Sequence, residues 1–434
     1  MRMLPSQIAA KAITAGDDRY EAVRHTYVSA GAPALVLAAE DEADVGAAVR
    51  FAADRQLPLS VRSGGHGPST NESGVVVDLG RLQRVEVLDR PRRIVRVEAG
   101  ARWAEVALVL SAHGLALTSG DYGDVGVGGL ATAAGFGLLA RLQGLTIDRV
   151  RAAEVVLADG ALVRADEHQH ADLLWAIRGA GGSFGAVTAF ELEAGPVATV
   201  TWGALTYRTA DLAGLLVRWS ELVERSPREV TSFFYVSPDA GVRTLVVHAG
   251  DDLEAGHRTL AAFAGLAPVL EQRNGVGPYT TLLAASRTPH QAQAAGFTAH
   301  SGLLGHVTTE AAAALAGLVD SQTAHVLQLR SVGGAVNDLA PDATAYAHRD
   351  QRFSVVAGSR GSELDGAWEA GVAPHIRGAY LNLGTARDDI TLRRAYPPAT
   401  LARLQQLKRR YDPRGVFDHS LRLPPLATAD SRAA

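Results

Sequence analysis

The chain has 434 residues, 47% of them apolar and 20% charged, with a formal net charge of −4 and a pI near 6.4. That length exceeds what one small core serves and fits two domains, while the mild acidity leaves no electrostatic footprint for nucleic acid or an anionic membrane. The absence of cysteine excludes disulfides, thiolate metal sites, a cysteine nucleophile and any covalent link through cysteine sulfur.

The N-terminus has no basic-then-apolar signal layout, and no apolar run approaches the roughly 20 residues that span a bilayer. A cytoplasmic protein with small-molecule partners is expected, with no nucleic-acid or membrane partner. From about Pro33 strands and helices alternate. Ala34–Ala38 is a short apolar run, and Glu40-Asp41-Glu42 opens a helix over Ala43–Ala53, with Val45, Val49 and Ala52 on one face. Leu57–Val61 reads as a buried strand. Gly74–Leu79 and Ile94–Val97 are further strands, Trp103–Leu110 a helix, and Asp159-Gly160 between two apolar runs marks a hairpin over Val155–Val163. Composition shifts at Gly195-Pro196. Beyond it Thr199–Tyr207, Phe233–Val236 and Thr244–His248 read as strands, and Ala210–Val223, His257–Leu266 and Glu310–Val319 as helices. The character changes again near Arg377, and a helix over Leu401–Tyr411 is stopped by Asp412-Pro413. The tail from Ala427 is expected to fray. The pattern argues an α+β or α/β fold in three segments, 1–195, 196–376 and 377–434, the middle one a sheet covered by helices.

Three glycine clusters mark the first segment. At the tip of the Leu57–Val61 strand stands Arg62-Ser63-Gly64-Gly65-His66. Adjacent glycines let backbone N–H groups crowd a ligand where a Cβ would clash, and Arg62 places a positive charge at the mouth. The residues alone leave two readings open, a phosphate-bearing cofactor beside His66 or an ordinary Gly-Gly turn with a solvated histidine. The second cluster runs from Gly120 through Tyr122, Asp124, Val125, Gly126, Gly128 and Gly129 to Gly135-Phe136-Gly137. Gly126–Ala131 satisfies GxGxxG/A, with Asp148 about twenty residues on. The dinucleotide fingerprint needs an apolar strand entering the first glycine, and Thr118–Asp124 is polar and glycine-punctuated. The reading preferred is a second loop facing the first across one extended ligand; the alternative is a turn region that lets two elements pack closely. Arg178–Gly185 adds a third cluster. Asp121 and Asp124 read as turn caps, and no metal-ligand set stands out.

These segments, in this order and spacing, resemble the flavin-binding domain of the vanillyl-alcohol oxidase (PCMH-type FAD-binding) superfamily, and more narrowly the berberine-bridge-enzyme-like FAD-linked oxidases. The likeness extends over Arg141-Leu142-Gln143-Gly144-Leu145 with Asp148, the DLLWAIRGAGGSFGAVT run from Asp172, Gln328-Leu329-Arg330, Gly333-Gly334-Ala335, His348-Arg349, Tyr380-Leu381-Asn382 and Lys408–Pro413. It covers roughly residues 25 to 425. The resemblance implies FAD joined through its 8α-methyl carbon to His66. Many members add a second bond through a cysteine; Tyr122 stands at that place, so only the histidyl bond is expected. It also implies an α+β fold with a discontinuous flavin domain formed by 1–195 and 377–434, and a substrate domain of antiparallel sheet covered by helices over 196–376.

The cofactor contacts implied are Arg62, Ser63, Gly64, Gly65, His66, Gly120, Tyr122, Asp124, Val125, Gly126, Gly128, Gly129, Gly135, Gly137, Asp148, Tyr380 and Asn382. Val125 falls where relatives let oxygen reach the reduced ring, which favours an oxidase. The reaction implied is hydride transfer from a small-molecule alcohol, amine or polyketide-like metabolite to flavin N5, with O2 reduced to H2O2. Tyr380 is the expected base, Asn382 a flavin or substrate contact, and Gln328 a residue facing the flavin from the sheet. His300, at a place where relatives carry Lys-Ser, is a candidate base or orienter, with a surface histidine in the 295–306 loop as the alternative. Leu383 makes the pocket less polar than that of relatives with tyrosine there. Two further functions stay open, an oligosaccharide oxidase and an NADPH-dependent flavin reductase.

Overall fold

The computed structural model describes residues 4–27, 29–67, 71–238, 240–284, 297–419 and 421–424. Ser420 and the tail from Ala427 lie outside them. The fold is α+β, with three sheets among the described residues. The first has four strands, β1 (Ala12–Ile13), β2 (Leu35–Ala38), β3 (Leu59–Arg62) and β4 (Val75–Asp78), in the order β1-β2-β4-β3. β4 pairs parallel with both β2 and β3. Parallel pairing requires a crossover, supplied by the helix Glu42–Asp54. Asp41 caps that helix by accepting the Asp44 N–H, and Val45, Val49 and Ala52 bury one face.

The second sheet contains β5 (Val85–Asp89), β6 (Ile94–Glu98), β7 (Val150–Val156), β8 (Leu162–Ala165) and β9 (Ala186–Glu193), in the antiparallel order β5-β6-β9-β7-β8. The β7–β8 hairpin turns at Gly160, whose φ of 79° suits glycine.

The third sheet has seven antiparallel strands: β10 (Val200–Tyr207), β11 (Val230–Ser237), β12 (Gly241–Ala249), β13 (Val269–Gly277), β14 (Thr298–Leu304), β15 (Val326–Ser331) and β16 (Phe353–Ser359). Their order is β13-β10-β12-β11-β15-β16-β14. The helices Leu212–Arg225, Leu253–Ala264 and Thr309–Asp320 cover one face, where Trp219, Phe263 and Leu315 pack with Phe234, Leu327 and Leu329. The two-residue period of a strand then turns Phe233 and Tyr235 of β11, and Gln328 and Arg330 of β15, to the opposite face. Register sets Phe233 beside Arg330 and Tyr235 beside Gln328.

The first two sheets share a core that the C-terminal helices Asp389–Ala395 and Pro398–Tyr411 complete through Leu392, Leu404 and Tyr411. Arg141 ties the sheet layers together. Its buried guanidinium donates to the carbonyls of Ser226, Pro227 and Val230, just past the helix Leu212–Arg225, and burial draws its pKa down to about 10. Among the described residues no helix is long and apolar enough to cross a membrane.

Candidate active site

A cleft of about 500 Å³ is walled by the loop after β3, the segment Gly120–Ala133, the third glycine cluster, Arg330 of β15 and the stretch Ala379–Arg387. β3 delivers Arg62, and the chain turns at Gly65 with φ of 73°. A Cβ on Gly64 would lie 2.3 Å from the Gly126 nitrogen, and one on Gly126 would lie 2.1 Å from the Gly64 nitrogen. The two glycine loops therefore meet backbone to backbone, as only glycine permits. Ser63 locks the junction: its Oγ donates to the Ala99 carbonyl at 2.5 Å and accepts the Gly128 N–H at 3.3 Å. A Cβ on Gly129 would meet nothing within 4 Å, so bare backbone fronts the cleft there.

His66 stands beside this junction. Its ring stacks on Tyr27 at 5.2 Å and 20°, and tilts against Tyr122 at 6.2 Å and 56°. Tyr122 and Val125 also line the cleft, as do Gly120 and Gly128. Opposite them Tyr380 is buried, its ring 4.3 Å from Phe136. Its Oη accepts the Gly135 N–H at 3.3 Å, and its own N–H donates to Ser301 Oγ at 3.0 Å. Burial pushes the Tyr380 phenol up; the Gly135 N–H, the Arg330 charge and the Asn382 side chain act in the other direction. Asn382 Nδ2 donates to the Gly129 carbonyl at 3.0 Å, joining the Tyr380 loop to the glycine wall. Leu383 lines the cleft.

Several residues stand elsewhere than the sequence led us to expect. Arg62 lines the cleft, but its guanidinium is committed to the Asp78 carboxylate and the carbonyls of Val23 and His25, so it offers no free charge. Asp124 is not among the lining residues; its carbonyl accepts from Arg102. Gly135 and Gly137 are packing glycines, because a Cβ would strike Thr146 Oγ1 at 2.1 Å and the Ser119 carbonyl at 1.5 Å. Asp148 faces away from the cleft into a buried two-armed pair with Arg349, at 2.7 and 2.9 Å, and accepts the Leu145 N–H. His300 lies within β14 rather than in a loop. It pairs with Asp365 at 2.7 Å, stacks on Trp368 at 5.3 Å, and takes no part in the cleft wall.

The structure adds residues to the site. Asp121 caps no turn. Its carboxylate accepts from Tyr235 Oη at 2.9 Å, Gln328 Nε2 at 3.2 Å and Arg330 Nη2 at 2.9 Å, gathering the open face of the third sheet. Tyr346 lines the cleft edge-on to Phe136. Arg387 also lines it, donating to the carbonyls of Leu381, Gly384 and Ala386, and burial lowers its pKa. The alternation of apolar Leu327 and Leu329 with polar Gln328 and Arg330 was the available signal for β15; Arg387 carried none.

Residues 33–166 match the FAD binding domain family. Over 432 residues, 91% of each chain, the protein is 27% identical to (R)-6-hydroxynicotine oxidase of Paenarthrobacter nicotinovorans. It is 38% identical to the FAD-linked oxidoreductase pgmH of Aspergillus terreus over 199 residues, 44% of this chain and 40% of that one. The solved structure of BBE-like 1 of Physcomitrella patens superimposes with a TM-score of 0.88 at 22% identity, covering 98% of this chain and 100% of the other. A matched cofactor domain and a cleft walled by three glycine loops define an FAD-dependent oxidoreductase. Over nine-tenths of its length the chain is similar to FAD-linked oxidases, and its fold is that of the PCMH-type FAD-binding proteins.

Proposed function

We propose that this protein is an oxidase of a small-molecule alcohol, amine or polyketide-like metabolite, holding FAD in the cleft through a single bond to His66. The observation that carries the reading is the facing of His66 and the glycine loops, on one wall, by Tyr380 and Asn382 on another wall of the same cleft. The backbone contact of Gly64 with Gly126 and the bare wall at Gly129 suit an extended ligand bearing phosphates and a flat ring. Stacking on Tyr27 restrains the His66 imidazole, and Tyr122, lacking sulfur, supports attachment at the histidine alone. When bound, FAD supplies the hydride acceptor and the route of electrons to O2.

The remaining work falls to side chains of this chain. Tyr380 Oη takes the proton leaving the substrate heteroatom; the Gly135 N–H and the Arg330 charge favour the phenolate this requires. Asn382 holds the Tyr380 loop against Gly129, fixing the distance across the cleft. The apolar shell of Phe136, Tyr346 and Leu383 keeps water from the reacting centre. The core under the third sheet draws only on residues 205–376, which supports a separate middle unit over 196–376; the larger core joins the N- and C-terminal segments and also takes in Phe233, Val247 and Tyr279, where the two units meet. Peroxide measurement against a panel of alcohols, amines and phenolic ketones tests the reading. Stoichiometric H2O2 with substrate loss is expected; NADPH consumption without peroxide would overturn it.

A further inference from the structure

The charge lining the cleft is lopsided. Arg24, Arg62, Arg330 and Arg387 line it with Asp121, the one acidic side chain among the described residues of the wall; Arg24 and Arg62 are already paired with Glu21 and Asp78, which leaves Arg330 and Arg387 as the cations without a carboxylate of their own beyond Asp121. Asp121 is already committed to three donors, from Tyr235, Gln328 and Arg330. No carboxylate is therefore left to receive an ammonium group. Arg330 is the cation placed beside Tyr380. The same short segment holds both, the Gly135 N–H on Tyr380 Oη at 3.3 Å and the Phe136 carbonyl accepting from Arg330 Nη1 at 3.3 Å. The guanidinium is 5.1 Å from the Phe233 ring, and Nη2 is fixed by Asp121 Oδ1 at 2.9 Å and Gln328 Oε1 at 3.1 Å. A guanidinium carries five N–H donors. Three go to these acceptors, and Nε–H, with the second Nη1 hydrogen, has none among the described residues.

We propose that Arg330 sets substrate class: held rigid by Asp121, it receives a carbonyl, carboxylate or phenolate oxygen of the substrate while Tyr380 faces the group being oxidised. This rests on the reading of the cleft as the oxidase site and narrows it, favouring acceptor-bearing substrates over ammonium ones. A guanidinium suits this work because its planar fork is already oriented and stays charged at every working pH. The unspent donors explain why a cation is buried where a neutral residue would pack more cheaply.

The test uses the purified holoprotein and two probes of matched shape, benzoate and benzylammonium, titrated against the flavin absorbance band. Benzoate is expected to bind the native protein about tenfold or more tighter than benzylammonium, as a hydrogen bond to a charged group implies. In R330M that preference is expected to vanish, and in R330K to survive in part. Because R330M removes one partner of a buried pair, D121N/R330M, which removes both charges, serves as the second variant. Equal benzoate affinity in native protein and either variant would overturn the proposal, as would tighter binding of benzylammonium. Melting-temperature shifts read the same binding without flavin, so failure to bind FAD would overturn the preceding reading while this comparison still decides the present one.

Discussion

Tyr380 and His300 show how two residues with similar sequence credentials separate once placed. Tyr380 is buried in the cleft wall, its hydroxyl oxygen on a backbone N–H. His300 is spent on Asp365 and Trp368 outside the cleft. Removing a positioned proton acceptor costs roughly 10²–10⁴ in rate, so Y380F is expected to slow anaerobic flavin reduction by a factor in that range. The native rate should rise with pH as the phenol ionises, and Y380F should flatten the rise. H300Q is expected to stay within about twofold of the native rate, because His300 spends its contacts on Asp365 and Trp368 away from the cleft. Stopped-flow reduction of the three proteins across pH checks both. Asp121 illustrates the limit at this scale. Beside glycines it reads as a turn cap, because its partners Tyr235, Gln328 and Arg330 lie more than a hundred residues away in sequence.

Elements with strong local signals were legible. The Asp41 cap and apolar face of Glu42–Asp54, the Asp159-Gly160 hairpin, and the strand that presents the Gly64-Gly65 loop all follow from spacing and turn chemistry. β13 escaped because its residues are largely exposed on a sheet edge and show no buried period. β14 escaped because Ala, Gly and Ser dilute its pattern, which is why His300 read as a loop residue. Asp148 was misplaced for a related reason. Its role depends on Arg349, some two hundred residues on, and the pair is 5% and 2% exposed. Breaking such a pair strands a buried charge at about 3–5 kcal/mol. R349M should therefore lower the unfolding free energy by that much in urea, while D148L/R349M should recover a large part of it. Equal loss in both variants would contradict this account of the pair.

For the molecule as a whole, burial of phenols sets behaviour in alkali. Burial pushes Tyr207 up to about 12, and pushes Tyr279, Tyr346, Tyr380 and Tyr396 up as well. In the unfolded chain these groups ionise near pH 10. Their folded values lie higher, so the stability they contribute is present in full below about pH 10 and is lost as pH rises from there toward the folded values. Thermal melting should accordingly be flat from neutrality to about pH 9.5 and fall steeply above it; a midpoint that rises over that upper interval would contradict the burial described. The likeness to FAD-linked oxidases was legible because the glycine loops and the Tyr380-x-Asn382 motif are local. The charge pattern of the cleft was not, because it is assembled from β15, the Gly120 segment and the stretch to Arg387 only when the sheets close on one another.

We propose that His66, within this glycine-walled cleft, holds the flavin covalently. Acid precipitation of the purified protein, followed by a spectrum of the pellet and a mass of the His66 peptide, tests it most directly. A yellow pellet and a peptide heavier by the mass of FAD are predicted. A colourless pellet, with all flavin in the supernatant and the peptide at its unmodified mass, would contradict it.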